Sequence, residues 1–129
     1  MKVPATLDYY YGDANNGGSL GKSGGSLDSS GAIFNSVSQI YQRRSSSGAL
    51  MWNDENPNGT TSFDVAHAKG MLYFEGSGPS GMYIVHSVPK FPPPDSYAYP
   101  SSGEMYGQSF MCLSLGQDVS AVMSSLIVT

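Results

Sequence analysis

Two histidines are the only imidazoles in the 129 residues, and both fall in one 20-residue stretch. His67-Ala68-Lys69 is the more informative. On a strand, residues i and i+2 leave the same face, so imidazole and ammonium would stand side by side. A neighbouring cation disfavours protonated histidine, so the pair gains nothing in stability from this arrangement. It does suit an anion. Lys69 can offer charge to non-bridging phosphate oxygens, and a neutral imidazole can attack phosphorus. Gly70 then allows close approach of a ligand or another backbone. The ordinary alternative for a lone H-x-K is a surface histidine beside a surface lysine, and the tripeptide alone does not separate the two. His86 follows Met82-Tyr83-Ile84-Val85 and would lie roughly opposite residues 67–69 if the segments form a hairpin. It reads either as a core-edge histidine bonded to a carbonyl or as a second imidazole in the same pocket. A metal triad of His67, His86 and Glu75 or Asp64 is disfavoured because Lys69 would put a cation beside the ion.

These residues need strands to hold them. Val65 to Phe74 reads as a strand closed by Glu75-Gly76-Ser77-Gly78-Pro79, with Met82 to Val88 as its antiparallel partner. Ala49 to Trp52 is a further short strand, followed by turn-forming residues 53–62 that include the sequon Asn58-Gly59-Thr60. Upstream, Leu7 to Tyr11 reads as a strand. Residues 12–31 hold seven Gly and five Ser, predicting a flexible surface loop. Ile33, Val37, Ile40 and Tyr41 recur as a helical stripe, with Ser29 or Ser30 as cap and Arg43-Arg44 at the negative end of the dipole. Prolines 89, 92, 93, 94 and 100 impose an extended run. Ser101 to Glu104 has capping-box spacing. Gln108 to Leu115 is apolar on both faces, predicting a central strand in which Cys112 packs as a small hydrophobe. Asp118 caps a second helix with Val119, Val122, Met123 and Leu126 on one face. The class is α/β or α+β: a mixed sheet flanked by helices, in one domain over 1–129.

Composition excludes several functions. One Cys leaves no internal disulfide and no multi-thiolate zinc site. No run of 18 apolar residues spans a membrane, and no secretory leader is visible after Met1. With six basic and ten acidic residues the charge is −4, so generic nucleic-acid binding at pH 7 is poor. Near pH 5, protonation of both histidines and some carboxylates would move the chain towards neutrality.

Longer strings now accumulate. His67-Ala68-Lys69-Gly70, His86-Ser87-Val88-Pro89-Lys90-Phe91-Pro92-Pro93-Pro94, Tyr97-Ala98-Tyr99-Pro100-Ser101-Ser102 and Tyr106-Gly107-Gln108-Ser109-Phe110-Met111-Cys112 resemble the amino-terminal half of the deoxyribonuclease II family. The Ala32–Tyr41 helix and Leu50-Met51-Trp52-Asn53-Asp54 resemble it in the same order. The resemblance implies one half of a phospholipase D-like pseudo-dimer, in which two α/β halves each bring an H-x-K motif to a shared cleft. It implies metal-independent, cofactor-free hydrolysis of DNA at acid pH, in lysosomes or after secretion. His67 would be the motif histidine, Lys69 its phosphate-binding lysine and His86 a supporting residue of the cleft. One motif histidine would form a phosphohistidine while the other protonates the leaving oxygen.

Departures from the pattern are equally plain. The second H-x-K half, the first strand and the cysteine partner of Cys112 are not in the sequence, which therefore reads as a fragment or truncated product. Activity then requires the carboxy-terminal half or a homodimer bringing two His67-Ala68-Lys69 stretches together across a two-fold axis. The competing expectation is a non-catalytic module retaining phosphate or DNA binding. A degenerate truncation without a role is the third. A half-domain on its own should also expose apolar surface around Phe110, Met111, Leu113 and Leu115, and so dimerise or aggregate.

Overall fold

The computed structural model describes residues 1–57, 59, 67–76, 80–116 and 118. The sequon residues Asn58 and Thr60, Asp64, the start of the 65–74 segment and the Val119–Leu126 helix lie outside the described residues. The fold is α+β. Strand β1 (Tyr10–Tyr11) pairs with β2 (Gly21–Lys22) in a small hairpin. Helix α1 (Ala32–Gln42) follows, then β3 (Ser47–Asn53), β4 (Lys69–Glu75), β5 (Gly81–His86), the single turn α2 (Ser101–Glu104) and β6 (Phe110–Leu115). Strands β3-β4-β5-β6 form one sheet in that order, and every described pairing is antiparallel.

The expected 3.6-residue stripe is the buried face of α1: Ile33, Val37 and Ile40 meet Met71, Tyr73, Met82 and Ile84 from one face of the sheet. Because side chains alternate along a strand, the other face carries Leu50, Trp52, Leu72, Tyr83, Met111 and Leu113. Leu50, Met111 and Leu113 are exposed there; of the residues expected to form an apolar patch, Phe110 and Leu115 are instead half-buried.

Four sequence expectations need correction. The 108–115 strand is at the edge of the sheet, not its centre; apolar residues on both its faces reflect partial exposure, and Cys112 is exposed. The Leu7–Tyr11 strand is reduced to two residues, with Tyr9 held in a bridge to Lys2. The 12–31 segment is ordered: it contains a 3-10 turn capped by Asp13, supplies β2, and buries Leu27 completely beneath Tyr97, whose hydroxyl donates to the Leu27 carbonyl. Neither capping motif forms. Ser29 and Ser30 bond within their own turn, and Ser101 does not cap α2.

Helix α1 instead starts at Gly31, whose φ of 91° no L-residue adopts readily, and the Ala32 N–H donates to the Tyr9 hydroxyl at 2.8 Å. A Cβ at position 31 would sit 2.2 Å from that oxygen. Tyr9→Phe should therefore lower stability by about 1 kcal/mol, read as a reduced urea midpoint with unchanged slope. An unchanged midpoint would show that water caps the helix equally well.

At the other end of the fold Lys2 is 1% exposed. Its ammonium donates to the Glu104 carbonyl and, at 2.9 Å, to that of Tyr106. Its backbone bridges Tyr9 on one side and Gln108 on the other. The 89–100 run is extended as expected and drives Phe91 into the core, where its ring meets those of Tyr97, Tyr99 and Phe110 at 5.6–6.2 Å.

Candidate active site

The register of β3 against β4 brings the chemistry together. Asn53 stands opposite Lys69 and Trp52 opposite Gly70, so the residue after β3 meets the residues before β4. That residue is Asp54. One of its carboxylate oxygens accepts from the Lys69 ammonium and the other pairs with His67 Nδ1. Lys69 lies also 3.8 Å from a Glu55 oxygen. Asn53 fixes the turn: its amide donates to the carbonyls of Val88 (3.1 Å) and Phe91 (2.9 Å), and its side-chain oxygen accepts the Glu55 N–H at 2.9 Å.

Exposure divides the trio. The side chains of Lys69 and Asp54 are 4% and 5% exposed, whereas that of His67 is 83% exposed. His67 lies just before β4 and Lys69 at its first residue. The i, i+2 spacing predicts both on one strand; only Lys69 is in β4, and the two side chains converge instead on the Asp54 carboxylate. Burial pushes the Asp54 carboxyl up, but the hydrogen bond and charge of Lys69, reinforced by His67, outweigh it and hold the group below its ordinary value. Gly70 is required at its place: a Cβ would lie 2.5 Å from the Trp52 ring and 2.8 Å from the Ile84 carbonyl. Gly70 thus accommodates a neighbouring ring and backbone.

His86 lies on the same sheet face but inside. It is 6% exposed, accepts the Val88 N–H on Nδ1 at 3.2 Å, and packs edge-on against Phe91 at 5.4 Å. Among the described residues nothing bonds its buried Nε2. Burial, with the charge of Lys69, lowers its pKa to about 4. The expectation that both histidines are charged near pH 5 is therefore corrected: His86 stays neutral there. The linkage has a definite sign. The unfolded chain takes up a proton below about 6.5 while the fold does not, so stability present above that pH is lost as pH falls towards 4. We expect a loss of about 3 kcal/mol across the window, seen as falling urea midpoints, and a flatter profile in His86→Gln. A wild-type profile that is flat from pH 7 to 4 would contradict the burial.

Asp54 is the participant that motif reading missed. It sits in a run of turn-forming residues, and its signal was the strand register, since a carboxylate immediately following the strand opposite H-x-K must fall beside the motif. Glu75, the carboxylate considered earlier, is at the far end of β4 and pairs with Arg43. Among the described residues no cluster of three or more His, Cys, Asp or Glu is arranged to hold a metal, and no helix is long and apolar enough to cross a membrane.

An exposed imidazole paired at Nδ1 with a buried carboxylate has the chemistry of a nucleophile or a general base. The comparisons with known proteins are specific. The family model described as deoxyribonuclease II matches residues 1–129. Deoxyribonuclease-2-alpha of Mus musculus is 37% identical over 120 residues, covering 88% of this chain and 33% of the relative. Cell-death-related nuclease 7 of Caenorhabditis elegans is 40% identical over 81 residues, 62% and 22% of the two chains. Plancitoxin-1 of Acanthaster planci is 38% identical over 89 residues, 64% and 24%. The chain thus spans a third or less of the length of these relatives. It belongs to the deoxyribonuclease II family.

Proposed function

We propose that this chain is the H-x-K half of an acid endodeoxyribonuclease that cleaves DNA without a metal and is complete only with a second half. The observation that carries the reading is the pairing of His67 Nδ1 with Asp54 while the rest of the ring faces solvent. A carboxylate on Nδ1–H fixes the tautomer in which Nε2 holds the free lone pair. In the reaction, Nε2 of His67 forms a bond to phosphorus as the bond to the 5′-oxygen breaks. The departing oxygen takes a proton from an acid on the opposite side, and water then cleaves the N–P bond to leave a 3′-phosphate. Lys69 places its charge beneath the phosphate, with Asp54 holding the ammonium in position. His86 supports this end of the sheet from within, and its sealed ring makes the partner half the source of the acid. That half is a carboxy-terminal polypeptide or, in a homodimer, a second His67. Such an enzyme would act on DNA in lysosomes or outside the cell, where acid conditions lessen the repulsion between DNA and a chain of charge −4.

A plasmid-nicking assay at pH 5 in EDTA on wild type, His67→Ala and Lys69→Ala tests the reading. Weak nicking by the chain alone, absent from both variants, is expected. Loss on chelation would indicate a metal nuclease, and unchanged nicking in His67→Ala would place the site elsewhere. The alternative, a non-catalytic module, is favoured by one observation: the Lys69 charge is buried and already compensated. Complete absence of nicking together with retained phosphate binding would support it.

A further inference from the structure

One charged group beside the candidate site has no role in the chemistry above. Glu55 follows Asp54 in the turn after β3, and its carboxylate stands 3.8 Å from the Lys69 ammonium. Asp54 is already engaged, with one oxygen on Lys69 and the other on His67. With both carboxylates ionised and His67 neutral, these side chains carry one negative charge in excess. A site built only to attract phosphate would have the opposite sign.

Exposure decides which of these charges an arriving ligand meets. The Lys69 and Asp54 side chains are buried, whereas that of Glu55 is 21% exposed and that of His67 is open. Glu55 and His67 are thus the members of the group that reach solvent. The Glu55 backbone is anchored: its N–H donates to Asn53 Oδ1 at 2.9 Å, and the Asn53 amide donates to the carbonyls of Val88 and Phe91. A phosphate oxygen accepting from Lys69 would lie about 2.8 Å from the nitrogen. The Glu55 oxygen 3.8 Å from that nitrogen is then at most about 7 Å from the phosphate oxygen. At that range like unit charges weaken binding by about tenfold, between the bulk-water and protein-surface limits. The separation is also shorter than the screening length of about 10 Å at 0.1 M salt.

We propose that Glu55 is a specificity residue of this site: its carboxylate opposes bound phosphate in proportion to the ligand's charge, so that a singly charged phosphodiester is held in preference to a doubly charged phosphomonoester. The inference rests on the reading of Lys69 as the phosphate-binding group. Lys69 alone would favour the more highly charged ligand, because its attraction doubles with ligand charge. Asp54 offsets that bias, and Glu55 reverses it. The outcome is a site for internal phosphodiesters that phosphorylated strand ends and free phosphate do not block.

Two ligands differing by one charge provide the test: thymidine 3′-phosphate and its methyl ester, titrated at pH 7 in EDTA and followed by the amide NMR signals of Lys69 and Gly70. Near pH 7 a phosphomonoester carries close to two charges and a diester one. Wild type should bind the ester more tightly. Glu55→Gln should bind the ester about tenfold and the monoester about a hundredfold more tightly than wild type does, inverting the order. Glu55→Asp keeps the charge and should keep the wild-type order. Glu75→Gln removes a charge at the far end of β4 and should change neither affinity by more than about twofold. Equal gains for the two ligands in Glu55→Gln, or no gain, overturn the proposal while leaving the phosphate site in place. The same gains in Glu75→Gln also overturn it. Glu55→Ala is a second neutral variant; loss of the folded state in both would assign Glu55 to stability and overturn the proposal too. Absence of binding by either ligand to wild type and to Glu55→Gln overturns the reading of Lys69 itself, and this inference with it.

Discussion

Asp54→Ala should lower the stability of the chain by about 3–5 kcal/mol, because it strands the Lys69 ammonium in an interior that excludes water. The Lys69 side chain is 4% exposed, and among the described residues the carboxylate that would remain near it is Glu55, 3.8 Å away. The urea midpoint at pH 7 measures the effect. Lys69→Met in the Asp54→Ala background should recover most of the loss, since an apolar side chain of similar length needs no partner. A single substitution costing under about 0.5 kcal/mol would show that Lys69 reaches water. Failure of the double variant to recover would show that Asp54 acts through the turn and not through the pair. Because the folded Asp54 pKa is depressed, its contribution is present above the ordinary carboxylate range and is lost only as pH falls through the folded value. Mild acid should therefore leave the pair intact.

His67→Ala should have the opposite profile, with a change in stability within about 0.5 kcal/mol and complete loss of chemistry at phosphorus. The side chain is 83% exposed, so the fold does not depend on it. The measurement need not wait for a second half. With bis(p-nitrophenyl) phosphate the departing phenolate requires no proton, so a lone nucleophile suffices. The chain alone should release p-nitrophenolate and carry a phosphoryl adduct on His67, found by mass spectrometry under mildly basic quench. Asp54→Asn should reduce the rate of that release by about 10²–10⁴, because an amide no longer selects the tautomer with a free Nε2. An adduct on another residue would relocate the nucleophile, and no release from wild type would leave the module without catalytic competence.

Local patterns carried much of the fold. The stripe Ile33, Val37, Ile40 and Tyr41 specified α1, and the glycine-rich turn between Phe74 and Met82 specified the β4–β5 hairpin, because both depend on neighbours close in sequence. What was not legible depends on partners far along the chain. Leu27 reads as part of a featureless Gly/Ser run until Tyr97 is placed over it, 70 residues later. Tyr9 caps a helix 23 residues away, a role no cap motif encodes. An apolar strand such as β6 looks the same at the edge of a sheet as at its centre, and position is settled by what pairs with it. In the site, His67 and Lys69 announced themselves by spacing. Asp54 became visible only once β3 was laid against β4, and the contrast between an exposed His67 and a sealed His86 needed the Phe91 and Phe110 rings.

The burial of Lys2 has a bearing on how the molecule is made. Its two carbonyl partners lie 102 and 104 residues downstream. A ribosome adding about 5–20 residues per second reaches them roughly 5–20 s after the second residue is joined. Throughout that interval the ammonium must stay hydrated, whatever the helix and the hairpin have already done. Lys2 is therefore synthesised early and its ammonium is seated late, only after the backbone of residues 104 and 106 has followed it.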